Sequence, residues 1–212
     1  MAKSTAMPKP MPTRRAALGL RAHSGWAALV ALAGSSASPE VIDRRRIETA
    51  DPAIRGSKQP FHAAEPLKLE DAEALIRKCT ESTRRLSREA LKAAIGDLRG
   101  RGFEVAGCGV ILGSGRSLPA LPAILASHAL LHTAEGEFYR QALVEAGQHC
   151  GLPVAGVKER EAYEQSAAQL RLSVPELEIR IAALGRGIGP PWTQDQKYAA
   201  LVGWLALSKP GD

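Results

Sequence analysis

The chain's 212 residues and 22.5 kDa suit one domain with trimmings. Its 45% hydrophobic and 24% charged content is that of an ordinary soluble protein, no apolar stretch approaches the ~20 residues of a membrane span, and three cysteines without a CxxC pair argue against a disulfide framework and for a reducing cytoplasm. The formal charge of +6 fits a polyanionic partner without demanding one, because Lys3, Lys9, Arg14 and Arg15 supply four of those charges near the start of the chain.

Residues 1–16 read as a disordered basic tail, and 17–212 as a single α/β domain. Thr13-Arg14-Arg15 ahead of an apolar run looks like a twin-arginine export signal. Arg21, His23 and Ser24 interrupt the apolar segment such a signal needs, so two strand pieces, residues 17–20 and 26–33, are expected instead. A turn over 34–39 and a returning strand over 41–48 make an antiparallel hairpin, with Arg44-Arg45-Arg46 as charged guards of a sheet edge. Pro52, Gly56, Pro60 and Pro66 mark residues 51–66 as a long loop. Ala72, Leu75, Ile76, Cys79, Thr83, Leu86, Ala90, Ala94 and Leu98 recur at helical spacing and predict a helix over 69–98 with one apolar stripe. Phe103 to Leu112 is a short apolar run closed by Gly113-Ser114-Gly115-Arg116, the pattern of a buried strand. A helix over 121–150 and a strand over 151–157 complete a right-handed βαβ unit, which sets a partly parallel sheet. Helices follow over 159–172 and 175–184, the second opened by Ser173-Val174-Pro175-Glu176, and Thr193 with Gln196 caps a last one.

Three places carry residues suited to chemistry. On a helix, His128, His132 and Glu135 stand at i, i+4 and i+7, a spacing at which two imidazoles and a carboxylate share a divalent metal ion, with Glu137 nearby. The competing reading makes the two histidines ordinary helix-surface residues. Gly113, Ser114, Gly115 and Arg116 follow a strand's carboxyl end, where open α/β sheets bind ligands and glycines let backbone N–H groups approach a phosphate. A plain loop is the alternative there, since the P-loop lysine and the full GxGxxG spacing are absent. Arg21, His23 and Ser24 form a polar break before Gly25, either a binding corner or a bulge.

Hairpin, long helix, strand, helix, strand, helix is the order of the ribonuclease H-like fold. Leu18 to Ala27 resembles the opening strand of Holliday-junction resolvases of the RuvC type, Leu152-Pro153-Val154 resembles a later strand, and Asp195 in the last helix resembles the family's terminal acidic helix. The resemblance implies a mixed sheet, an N-terminal antiparallel hairpin plus parallel strands, flanked by helices. It also implies hydrolysis at a carboxylate cluster holding two divalent ions, yet Arg21 stands where the first strand's acid belongs and no acid follows the central strand. The expectation is therefore a divergent member with a His/Glu site. His23, His132, Glu135 and Asp195 take the catalytic roles, His128, His132, Glu135 and Glu137 hold a divalent metal ion, and Arg21, Ser24 and Gly113 to Arg116 bind a phosphate-containing substrate. The alternative is a non-catalytic module binding nucleic acid or a protein partner. Under either reading the Ala/Leu-rich central helix offers a homodimer surface.

Overall fold

The computed structural model describes residues 13–209. Along the chain run β1 (Arg14–His23), β2 (Trp26–Gly34), β3 (Pro39–Glu48), α1 (Pro60–Ala64), α2 (Leu69–Gly100), β4 (Phe103–Leu112), α3 (Leu121–Leu125), α4 (His128–His149), β5 (Val154–Lys158), α5 (Ala162–Leu170), α6 (Val174–Leu184) and α7 (Gln194–Ser208). The strands form one five-stranded sheet in the order β3-β2-β1-β4-β5. β1, β2 and β3 pair antiparallel, whereas β1 with β4 and β4 with β5 pair parallel. This is the mixed ribonuclease H-like sheet expected above, flanked by helices on both faces.

The central strand shows why. Ala16, Ala17, Leu18 and Leu20 of β1 are all fully buried, so both faces of β1 must be covered. One face packs on Leu91, Ala94 and Leu98 of α2 and on Leu143 and Ala146 of α4. The other receives α7, in which every residue from Ala199 to Leu207 is buried. A helix apolar all round is a core helix, and α7 lies between the sheet and α5 and α6. Glycines let it sit there. A Cβ on Gly19 would stand 1.8 Å from the Ala199 carbonyl oxygen, and one on Gly109 would stand 2.1 Å from that of Val202.

Several boundaries differ from the sequence reading. β1 starts at Arg14, so residues 14–16, expected in the tail, pair with β4; the remainder of the tail, residues 1–12, lies outside the described residues. The helix expected over 121–150 is two, because Ser127 is extended and restarts the chain as the N-cap of α4, making His128 that helix's first residue. The loop expected over 51–66 contains α1, whose first residue is Pro60, as suits a residue with no N–H to leave unpaired. The Arg44–Arg46 cluster is tied down: Arg44 donates to the Gly189 and Pro191 carbonyls, Arg45 pairs with Asp43 and Asp97, and Arg46 pairs with Glu48 over the Trp26 ring. No helix among the described residues is long and apolar enough to cross a membrane.

Candidate metal centre and substrate cleft

Because β1, β4 and β5 are parallel, their carboxyl ends share one edge of the sheet. His23 ends β1, Gly113 to Arg116 follow β4, and Lys158 ends β5. The N-terminal half of α4 lies along this edge on one face, and the first turn of α7 on the other.

On the α4 side, three imidazoles meet. His128 and His132, one turn apart, bring their Nε2 atoms to 3.0 Å. His62 of α1 completes the group, its ring centroid 4.8 Å from that of His132, and the three side chains offer nitrogens within 4.8 Å of one another. His128 and His132 are exposed and His62 is half-buried. Glu135 fixes His62 from behind. Its Oε1 accepts from the backbone N–H of Phe61 at 2.8 Å and of His62 at 3.1 Å, and lies 3.1 Å from His62 Nδ1. Gln59 provides no side-chain cap for α1, so the carboxylate of α4 does that work across the interface. Glu135 is only 4% exposed, and its Oε2 has no hydrogen-bond partner. Burial pushes its carboxyl above the ordinary range, against the pull of the His62 and Phe61 bonds. Tyr139 ties the same loop down, its hydroxyl donating to the Ser57 carbonyl. A cavity of about 200 Å³ opens beside the cluster, with His23, Ser24, His62, His132, Glu135 and Tyr139 in its wall.

The α7 side is arranged differently. The Arg21 guanidinium, 16% exposed, lies 2.8 Å from Glu159 and 3.0 Å from Asp195, above the Tyr198 ring. His23 Nε2 also meets Asp195, at 2.9 Å, and its ring stacks on Trp26. A cation of the protein itself therefore stands between two carboxylates at the ends of β1 and β5. Next to it a larger cleft of about 800 Å³ is lined by Gly113, Ser114, Arg116, Lys158, Arg160 and Tyr198, among others.

The sequence-based assignments separate on this geometry. His128 and His132 come together, while His23 and His132 share a cavity wall without bonding each other. Glu135 and Glu137 do not join the nitrogens: Glu135 is spent on α1 and His62, and Glu137 faces Arg140 at 3.4 Å. Arg21 is an ion-pair partner within the fold and is not a free cation for substrate. Asp195 is held by Arg21 and His23, and Ser24 turns β1 into β2. Gly113, Ser114 and Arg116 line the larger cleft, with Gly115 at φ 70° between them. His62 was missed, since a five-residue helix has no periodicity to detect; the one usable signal was Pro60 followed by Phe-His-Ala-Ala. Of the apolar residues of α4, Leu131, Leu143 and Ala146 are buried within the chain, whereas Leu130, Phe138 and Val144 are half-buried.

No protein-family model matches the chain, and neither does any curated protein. Among solved structures the chain is similar to T. thermophilus RuvC in complex with Holliday junction substrate, at TM-score 0.45 and 13% identity over 90% of each chain. The Thermus thermophilus RuvC structure matches at TM-score 0.45 and 13% identity, over 89% of this chain and 91% of that one. The Aquifex aeolicus member of the Ppx/GppA family matches at TM-score 0.35 and 13% identity, over 74% of this chain and 40% of that one. With identities and TM-scores this low, none of them carries a conclusion about this chain's residues or activity.

Proposed function

We propose that this chain is a divergent ribonuclease H-like hydrolase of phosphate esters. Its divalent metal ion sits at the histidine cluster, and the carboxylate positions of the resolvases are filled by the Arg21 ion-pair network. The observation that supports this most is the convergence of His62, His128 and His132 beside a cavity at the carboxyl edge of the sheet, where such folds bind ligands. When bound there, a divalent ion acidifies water and polarises a phosphoryl oxygen. Arg116, Lys158 and Arg160, with the Ser114 hydroxyl, provide the anion-binding groups of the adjoining cleft.

Turnover of bis(p-nitrophenyl) phosphate by the full chain, with Mg²⁺, Mn²⁺ or Zn²⁺ in turn, tests this. The reading expects metal-dependent hydrolysis that His132→Ala abolishes, and a several-fold rise in KM for Arg160→Ala with kcat nearly kept. No hydrolysis with any metal, beside salt-sensitive binding of branched DNA, supports the second reading. That reading is a non-catalytic nucleic-acid module, and the Arg21–Glu159–Asp195 group, whose two carboxylates are engaged by Arg21, favours it.

A further inference from the structure

The histidine cluster specifies an ion, and its chemistry is not that of the two-metal carboxylate nucleases. We infer that His62, His128 and His132 form a zinc-class site with three imidazole ligands and one open position, in which Glu135 is the positioning residue. This rests on the hydrolase reading for what the site is used for, while ion binding stands on the geometry alone.

Ligand chemistry decides the ion. Three imidazole nitrogens suit Zn²⁺ and its borderline-soft neighbours, whereas Mg²⁺ takes oxygen donors in octahedral array. Three histidines with a fourth position left to water is the pattern of catalytic zinc sites, structural sites being closed by four protein ligands. Tetrahedral bonds of ~2.0–2.1 Å place ligand nitrogens about 3.3 Å apart. The His128–His132 separation of 3.0 Å is already close to that, and all three nitrogens fall within 4.8 Å. Side-chain rotation closes the rest, because His128 and His132 are exposed and unpinned except by each other. Two histidines at i and i+4 on α4 form the adjustable half of the site, and α1 delivers the third, His62, held by Glu135.

Glu135 supplies the second, independent observation. It is a buried carboxylate with one oxygen bare, and among the described residues its ion-pair partner is His62. Arg140 lines the same cavity, but its guanidinium pairs with Glu137. A buried anion needs compensation, and this one reaches a cation only through the imidazole. With Nδ1–H donated to Glu135, His62 keeps its Nε2 lone pair for an ion. That is the carboxylate–histidine–metal relay, which fixes the tautomer and raises the basicity of the ligand. An ion at Nε2 thus places positive charge where the buried carboxylate can use it.

The test uses chelator-stripped full-length protein titrated with Zn²⁺, Co²⁺ and Mg²⁺ chlorides, with affinity read by competition against a chromophoric chelator. One Zn²⁺ or Co²⁺ per chain is expected, with Co²⁺ giving the intense visible bands of four-coordination and millimolar Mg²⁺ failing to compete. His128→Ala and His132→Ala, both at exposed positions, and His62→Ala are each expected to lose at least tenfold in Zn²⁺ affinity and to lose those bands. Glu135→Gln, which keeps an acceptor for the α1 N–H groups, is expected to lose about 10- to 100-fold with the bands retained. That pattern separates positioning from ligation. Absence of stoichiometric Zn²⁺ binding, or binding unchanged in His62→Ala, overturns the inference. Zn²⁺ bound as described without phosphate-ester turnover overturns only the hydrolase reading. Turnover with Mg²⁺ that survives His128→Ala with His132→Ala, without Zn²⁺ binding, overturns the site and leaves hydrolysis standing.

Discussion

Glu135 carries two jobs at one atom: it caps α1, and it holds His62 by the ring. Replacing it with alanine leaves the Phe61 and His62 donors unpaired in a buried interface. A loss of about 3 kcal/mol follows from the cost of such groups, readable in urea unfolding of the metal-free chain. An unchanged midpoint would mean the α1–α4 contact contributes nothing. The cysteines give a second test at this scale. Burial pushes the Cys108 thiol up to about 12, while Cys79 is also buried and Cys150 only half so. A thiol reagent at neutral pH is expected to label Cys150 first, and Cys108 and Cys79 only on unfolding. A raised thiol pKa favours the native state while the thiol stays protonated. Cys108 therefore contributes its full stabilisation below the ordinary thiol pKa and loses it as pH rises toward about 12. Titrating unfolding from pH 8 upward, in the parent and in Cys108→Ala, reads the slope directly: the parent should fall more steeply.

Among the elements, α7 is the one the rest is built around. Its backbone lies against Gly19 and Gly109, where added Cβ atoms would meet main-chain oxygens that cannot rotate away. Gly109→Ala is expected to cost about 3 kcal/mol or more, the upper end for overpacked cores. Gly96→Ala, at an exposed position near the C-terminal end of α2 with nothing within 4 Å of an added Cβ, is expected to stabilise by about 0.5–1 kcal/mol. Equal effects for the two would remove the close-approach argument. These glycines also mark the limit of what the sequence said. Periodicity located α2, and β-branched content with closing glycines located β4 end to end. The burial of α7 on all sides was not legible, because a short apolar helix has no amphipathic contrast and its partners lie far away in sequence.

For the whole molecule, the sheet order places α1 and α4 together at the carboxyl edge although more than sixty residues separate them, and the site depends on that juxtaposition. His128 with His132 was readable as an i, i+4 pair; His62 was not, since only the tertiary fold relates residue 62 to residue 132. Arg21 was readable as a cation where an acid was expected, but its two carboxylate partners, Glu159 just after β5 and Asp195 of α7, were not. Both outcomes follow from one cause: local spacing is written in the chain, and contacts across the sheet edge are not. The molecule thereby separates two groups along the sheet edge, an Arg21-bound carboxylate corner on the α7 side and an imidazole cluster on the α4 side.

On the proposed reading the divalent ion sits at the three histidines and not at the Arg21–Glu159–Asp195 corner. Anomalous diffraction at the zinc edge, from crystals of the full chain grown with Zn²⁺, tests it most directly. The account predicts one peak within bonding distance of His62, His128 and His132, with Arg21 still between Glu159 and Asp195. A peak between Glu159 and Asp195 with Arg21 displaced, or none at the histidines, would contradict it.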